Sequence, residues 1–432
     1  LPVVVQTARM AASRNRRLRG GALVAALFAT SVALGPTGTP VAVAADDDCV
    51  VVNPSPREFE RLPSIAYRLD GATIGQLPQA RAVTADGKYA DFRASTDQDI
   101  ANLFVVGDLT TGEERVVYEL PRGSGADSYV SGLEFSPNGE YLAFSVSEPG
   151  PSIQVRLRVI DLDGNVTLNT PFNVRPGDGV FSPDSTQIVY SDSTVFGKRD
   201  VWVAAVDGST PPERILEPPP DFAIGPHDVP QNASDFSWAP DGDRIAFEGR
   251  NGNNRDGFSS NSPEIYIVDP DGTNLEQIPP VFVGTVDTSQ TNPVWSPDGD
   301  RIAFAQFVSD ARADTDSALT LATFDVESGV IAEIPDSTGL NQVPQDLDLF
   351  WTSDDTLVFN GTRNTFDDDT RQDGVFGVRV DGSRIDFIAE SPKQGQPLDL
   401  DLIAGVTSCD LVPTVAYAGL VPDRIMDTRS GI

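Results

Sequence analysis

Short runs in which apolar and polar residues alternate, each interrupted by a turn built from Pro, Asp and Gly, recur along this 432-residue chain. The clearest is Ser296-Pro297-Asp298-Gly299-Asp300-Arg301-Ile302-Ala303-Phe304. Further copies run from Ser136-Pro137-Asn138-Gly139 to Phe144, from Ser182-Pro183-Asp184-Ser185 to Tyr190 and from Ala239-Pro240-Asp241-Gly242 to Phe247. Weaker ones run from Thr84 to Phe92 and from Thr352 to Phe359. Pro presets φ for a turn, Asp or Asn bonds its own backbone there, and Gly accepts positive φ at little cost. The aromatic just before the turn (Phe135, Phe181, Trp238, Trp295, Trp351) ends one strand, and the run after it, with a period of two, begins the next. Each copy therefore predicts a β-hairpin.

Measured at the closing aromatics Phe92, Phe144, Tyr190, Phe247, Phe304 and Phe359, the steps are 52, 46, 57, 57 and 55 residues. A third strand follows each hairpin and ends in Asp-Gly or a relative of it, as in Ile265 to Gly272 and Val375 to Gly382, and a short fourth comes after, such as Leu275 to Ile278. Four strands at this period make propeller blades, since helical repeats are shorter and lack these turns. The expectation is an all-β, six-bladed β-propeller of four-stranded antiparallel blades over residues 63–410. Two leftovers, Ala66-Tyr67-Arg68-Leu69-Asp70-Gly71 with Thr73 to Leu77, and Leu398 to Val406, read as a mixed-end closure or a partial extra blade.

The pattern Trp295-Ser-Pro-Asp-Gly to Phe304, with Ile265-Tyr-Ile-Val-Asp-Pro-Asp-Gly272 one unit earlier, resembles the TolB-like, WD-related propeller repeat. The resemblance covers residues 80 to 390 or so, and implies an exported platform that binds through the loop-rich face rather than through the Ser-Pro-Asp-Gly turns. A propeller hosts binding platforms, peptidase gatekeepers and lyases alike, so the repeat specifies fold and not function.

Residues 1–44 contain five Arg (Arg9, Arg14, Arg16, Arg17, Arg19) and no acid, then the apolar run Gly21 to Gly35 and the small-residue stretch Ala42-Val43-Ala44. That order reads as a secretory signal peptide cut after Ala44, leaving no membrane-spanning segment. Residues 45–62 read as a linker. Residues 411–432, with Val421-Pro422-Asp423-Arg424-Ile425-Met426-Asp427-Thr428-Arg429, read as a tail or as the start of a further module. The chain carries 31 Lys and Arg against 64 Asp and Glu, a formal charge of −33. Without the five leading Arg it is about −38, which disfavours nucleic acid and anionic lipid as partners. Cys49 and Cys409 are the two cysteines. In an exported chain a bond between them would clamp the ends of the repeat array, contributing up to roughly 5 kcal/mol by the loop-entropy model.

His227 is the single histidine and Gly-x-Ser-x-Gly does not occur, so the 432 residues cannot assemble the usual Ser-His-Asp centre, nor a His-ligated metal site. Acidic segments at Asn251 to Gly257, Asp310 to Asp316 and Asp367 to Asp373 supply oxygen donors of the kind calcium takes, or simply solvated loops. Three residues before each strand-ending aromatic stand Asp178, Asp235, Asn292 and Asp348 in four consecutive units. They form a candidate calcium or polar-ligand site at a channel mouth; alternatively they bond backbone between neighbouring blades. The expectation from all this is a secreted, periplasmic or cell-surface monomer acting as a non-catalytic binding module for a protein, peptide or envelope ligand. The alternative is a calcium-dependent hydrolase or lyase with its metal in the channel.

Overall fold

The computed structural model describes residues 48–54, 64–69, 71–77, 80–84, 86–93, 102–120, 130–148, 154–171, 173–175, 179–192, 199–218, 230–250, 263–279, 282–283, 286–308, 318–335, 340–342, 347–353, 355–365, 370–383, 385–390 and 400–408. The described strands all belong to the unit Val41–Ile432. The predicted signal peptide, His227, the loop Asn251 to Gly257 and the tail lie outside the described residues.

The chain opens with β1 (Asp48–Pro54), β2 (Ser64–Arg68) and β3 (Thr73–Leu77). Sheet one is β4 (Ala82–Val83), β5 (Lys88–Arg93), β6 (Asn102–Asp108) and β7 (Glu114–Leu120). Sheet two is β8 (Val130–Phe135), β9 (Tyr141–Glu148), β10 (Gln154–Asp161) and β11 (Val166–Asn169). Sheet three is β12 (Val180–Phe181), β13 (Gln187–Ser191), β14 (Val201–Ala205) and β15 (Glu213–Leu216). Sheet four is β16 (Gln231–Trp238), β17 (Ile245–Arg250), β18 (Glu264–Val268) and β19 (Glu276–Gln277). Sheet five has five strands, β20 (Phe282–Val283), β21 (Val286–Trp295), β22 (Arg301–Val308), β23 (Ala318–Asp325) and β24 (Val330–Glu333). Sheet six is β25 (Leu340–Gln342), β26 (Leu349–Ser353), β27 (Thr356–Thr365), β28 (Thr370–Arg379) and β29 (Ile385–Glu390), and β30 (Leu400–Ser408) ends the series.

These are seven antiparallel sheets, so the expected count of six is corrected. The additional one is ordered β3-β2-β1-β30 and joins both ends of the array. It has no Ser-Pro-Asp-Gly turn, and a count of that turn passes over it. The C-terminal partner strand expected near Leu398 to Val406 is β30, which pairs with β1 from Asp48↔Ser408 to Pro54↔Leu400. β1 itself lies inside the segment read as a linker.

The repeated turn closes as its chemistry predicts. In Ser296-Pro-Asp-Gly, Gly299 N donates to Ser296 O at 2.9 Å with φ of +77°, and Arg301 N donates to the Ser296 hydroxyl at 2.9 Å. Asp298 accepts from Asp300 N at 3.1 Å. Ser182 accepts from Gln187 N and Ser136 from Tyr141 N in the same way, at 2.9 and 3.0 Å.

Between sheets the packing is apolar and also repeats. Sheets one and two share Phe104, Leu142 and Phe144; two and three share Leu157, Ile188 and Tyr190; three and four share Val203, Phe236 and Phe247. Sheets four and five share Ile265, Ile302 and Phe304; five and six share Leu321, Leu357 and Phe359. Val50 and Val52 of β1 pack on Val375 and Ile388 of sheet six, while Ala66 and Leu77 pack on Val83 and Tyr89 of sheet one. The motif adds polar ties across the same boundaries: Trp238 Nε1 donates to Val180 O at 3.0 Å and Trp351 Nε1 to Val294 O at 3.1 Å. Arg244 lies over the Trp295 ring at 4.6 Å and Arg301 over Trp351 at 5.3 Å. A cation over an indole contributes about 0.5–1 kcal/mol at such sites. We expect Arg244→Ala to lower the urea midpoint by that order, with Arg244→Lys recovering part of it in the same titration.

Candidate functional site

First strands bend at one repeated place. Their pairing with the second strand shifts register between Ser131 and Glu134 in sheet two, Ser234 and Ser237 in sheet four, and Thr291 and Val294 in sheet five. Within each bulge one residue has left-handed backbone: Gly132 at φ +62°, Asp235 at +52° and Asn292 at +53°. Gly, Asn and Asp are the residue types that accept this conformation most readily. At Asp235 and Asn292 the residue type therefore has a backbone cause.

Of the four predicted site residues, Asp178 lies outside the described residues. The other three sit on or just before their first strands, and each has a protein partner. Asp235 accepts from Arg175 Nη1 on the preceding sheet at 3.4 Å, and Asn292 Nδ2 donates to Leu347 O of the next sheet at 3.0 Å. Asp348 exchanges two bonds with Asn360 of its own sheet, Asp348 N to Asn360 Oδ1 at 2.9 Å and Asn360 Nδ2 to Asp348 Oδ2 at 3.2 Å. Asn292 thus bonds backbone across the boundary, whereas Asp235 pairs with a side chain. No group of three or more His, Cys, Asp or Glu is arranged to hold a metal among the described residues.

This geometry makes a prediction for Asn292. Asn292→Ala loses a bond worth about 1 kcal/mol and adds about 1 kcal/mol of left-handed strain, whereas Asn292→Gly loses the bond alone. Denaturant titration should rank the proteins wild type, Gly, Ala in falling stability.

A mixed-charge cluster sits beside Asp235 at the boundary of sheets three and four. Glu248 on β17 stands opposite Ser234, with its side chain 12 % exposed and its carboxylate 3.9 Å from Arg250 Nη2. Burial, reinforced by the Asp235 charge and opposed by Arg250, Arg175 and Arg199, pushes the Glu248 carboxyl up to about 7. It can therefore take up or release a proton near neutrality. Glu134 on β8 behaves similarly. It is half-buried, and burial pushes its carboxyl up to about 8. The register of the repeats could have revealed Glu134, because Val180, Val294 and Phe350 occupy its position in other units. Nothing in the linear sequence marks Glu248, whose environment comes from burial, from Asp235 and from Arg175 and Arg199 in the segments before β12 and β14.

No protein-family model matches the chain. An uncharacterized protein of Agrobacterium fabrum is 27 % identical over 218 residues, which is 48 % of this chain and 66 % of that protein. Dipeptidyl-peptidase 5 of Porphyromonas gingivalis is 25 % identical over 205 residues, 37 % of this chain and 29 % of the peptidase. The chain thus spans less than two thirds of either relative. Among solved structures, a puromycin-hydrolyzing peptidase of Mycobacterium tuberculosis superposes with a TM-score of 0.54 at 14 % identity, covering 82 % of this chain and 53 % of the peptidase. The β-propeller domain of the Trilobed protease of Pyrococcus furiosus gives 0.50 at 13 % identity, covering 81 % and 97 %. A TolB of Agrobacterium tumefaciens gives 0.42 at 18 % identity, covering 71 % and 94 %.

These relatives correct the expected function. Peptidases stand prominently among the proteins with a stated activity, and this overturns the reading as a non-catalytic binding module that is no enzyme. The physical reason for the miss is that the repeat encodes turns and sheet contacts, which propellers share whatever activity they serve. In fold, the chain is similar to the β-propeller domain of the Trilobed protease.

Proposed function

We propose that this chain is the propeller portion of a peptidase, admitting peptides to a hydrolytic centre supplied by residues other than these 432. The observation that carries the reading is the similarity to dipeptidyl-peptidase 5 over 205 residues. It is supported by the absence from the sequence of a second histidine and of a Gly-x-Ser-x-Gly turn, which leaves the nucleophile and its base to another domain or subunit. The test is hydrolysis of a panel of dipeptidyl and tripeptidyl aminocoumarins by the protein purified from its source cells, alongside labelling with a fluorophosphonate. Turnover together with label, on the polypeptide that bears this propeller or on one that co-purifies with it, is the expected result. A preparation that neither turns over any peptide nor takes label on either polypeptide would overturn the reading.

The same reading includes a ring of seven blades closed by the pairing of β1 with β30. Seven apolar contacts support it, each between neighbouring sheets, the last linking the closing sheet to sheet one. It also includes export, supported by the Arg-rich start and apolar run of residues 1–44, and a Cys49–Cys409 disulfide, supported by the register of the closing strands. Asp48 pairs with Ser408 and Cys49 with Thr407, and Cys409 is the next residue along the chain. Thiol titration of the denatured, unreduced protein should find no free thiol, rising to two per chain after reduction. Two free thiols before reduction would remove the disulfide from the reading.

A further inference from the structure

Sheet five carries an unusual set of buried polar atoms. Gln290 Oε1, Thr291 Oγ1, Trp295 Nε1 and Thr320 Oγ1 are enclosed and have no hydrogen-bond partner. Two of them belong to one row: Gln290 is the direct cross-strand partner of Gln306, and Gln306 of Thr320. Direct cross-strand neighbours project from the same face of a sheet. Gln290 is 0 %, Gln306 5 % and Thr320 6 % exposed. Phe304 and Ala322, two residues along from Gln306 and Thr320, pack against sheet four, so the row lies on that face too. Gln290 confirms the placement, since its backbone N donates to Pro263 O at 2.9 Å and its Nε2 to Pro279 O at 3.2 Å. The corresponding pair in sheet two is Val130 and Val146, 9 % and 1 % exposed, so that sheet is apolar at the same place.

We propose that the Gln290–Gln306–Thr320 row is an internal water site between sheets four and five. The orientation of Gln290 is set by chemistry: turned over, its Oε1 would face the Pro279 carbonyl, acceptor against acceptor. Its oxygen is therefore the terminus left enclosed without a protein partner. An enclosed amide oxygen and an enclosed hydroxyl left unpaired are each costly, and water molecules donating to Gln290 Oε1 and exchanging bonds with Thr320 Oγ1 remove those costs. Two to four polar partners are what a buried water requires, and the row supplies them. The site ties sheet five to the two prolines of sheet four where the apolar contact of Phe304 with Ile265 gives out.

The experiment is water ¹⁷O relaxation dispersion on the full chain, compared with the variant Gln290→Leu/Gln306→Leu/Thr320→Val, and backed by a crystal structure. Wild type should show roughly one to two more long-lived waters than the variant, and electron density within hydrogen-bonding distance of both Gln290 Oε1 and Thr320 Oγ1. Equal dispersion amplitudes, or a crystal structure in which both atoms bond directly to protein, would overturn the proposal. Should the triple variant fail to fold, Thr320→Val alone is read in the same way, with a loss of about one long-lived water expected and no loss decisive against the site.

Discussion

Gly272→Ala should unfold at a markedly lower denaturant concentration than wild type, with a loss of about 3 kcal/mol. Gly272 ends the turn between β18 and β19 with φ of +82°, where a side chain costs about 1–2 kcal/mol. A Cβ there would also meet the backbone carbonyl oxygen of Ile215, on the outer strand of the preceding sheet. That oxygen is main-chain and cannot swing aside, so β15 or the turn must shift. Gly242 provides the control. Its φ is +78°, and a Cβ there would have nothing within 4 Å. Gly242→Ala should cost only the conformational part, about 1 kcal/mol. Equal losses in the two variants would show that the contact between sheets three and four tolerates a methyl group, contrary to the geometry.

Stability should fall as pH rises from about 5 to 8, and the double variant Glu134→Gln/Glu248→Gln should flatten that slope. Both carboxyls are raised in the folded protein, from the ordinary 4.5 to about 8 for Glu134 and about 7 for Glu248. Between the unfolded and folded values the folded state holds a proton that the unfolded state has released. Their contribution is therefore complete below about 4.5 and is lost as pH climbs through 7 and 8. The two together amount to about 2–4 kcal/mol across the range, allowing for water that reaches Glu134. Turn carboxyls act in the opposite direction at lower pH. Asp271 is lowered by the hydroxyl and amide of Thr273, and Asp184, despite burial, by the Ser182 hydroxyl and Thr186, so their contribution disappears as pH falls below about 3.8. Thermal melts at several pH values should thus peak near pH 5. A wild-type profile no steeper than that of the double variant between pH 5 and 8 would contradict the assigned burial of the two carboxyls.

The turns were legible because they are local. Ser296, Pro297, Asp298 and Gly299 make their bonds within six residues, and each copy of the motif carries the same instruction. Sheet one to sheet six could accordingly be placed from sequence, while the closing sheet was only half visible. β2 and β3 read correctly as strands, but β1 had no turn to announce it, and its two partners lie 16 and about 350 residues away. Asp235 and Asn292 were singled out correctly as equivalent, yet a bulge accounts for their recurrence, and a bulge appears only when two strands are paired. The similarity to peptidases was not legible for a different reason: the sequence places one histidine in 432 residues, and the repeat itself carries no catalytic chemistry.

What the sequence alone determined is the blade: its hairpin turn, its period and the alternation that gives each strand an apolar face, all set by interactions between residues close in the chain. What only the tertiary structure decided is how blades meet. The seventh sheet, the contact of Gly272 with Ile215, the raised carboxyls of Glu134 and Glu248 and the polar row of Gln290, Gln306 and Thr320 arise where strands distant in sequence enclose one another. Burial and partner identity are properties of that enclosure, and no short stretch of sequence encodes them.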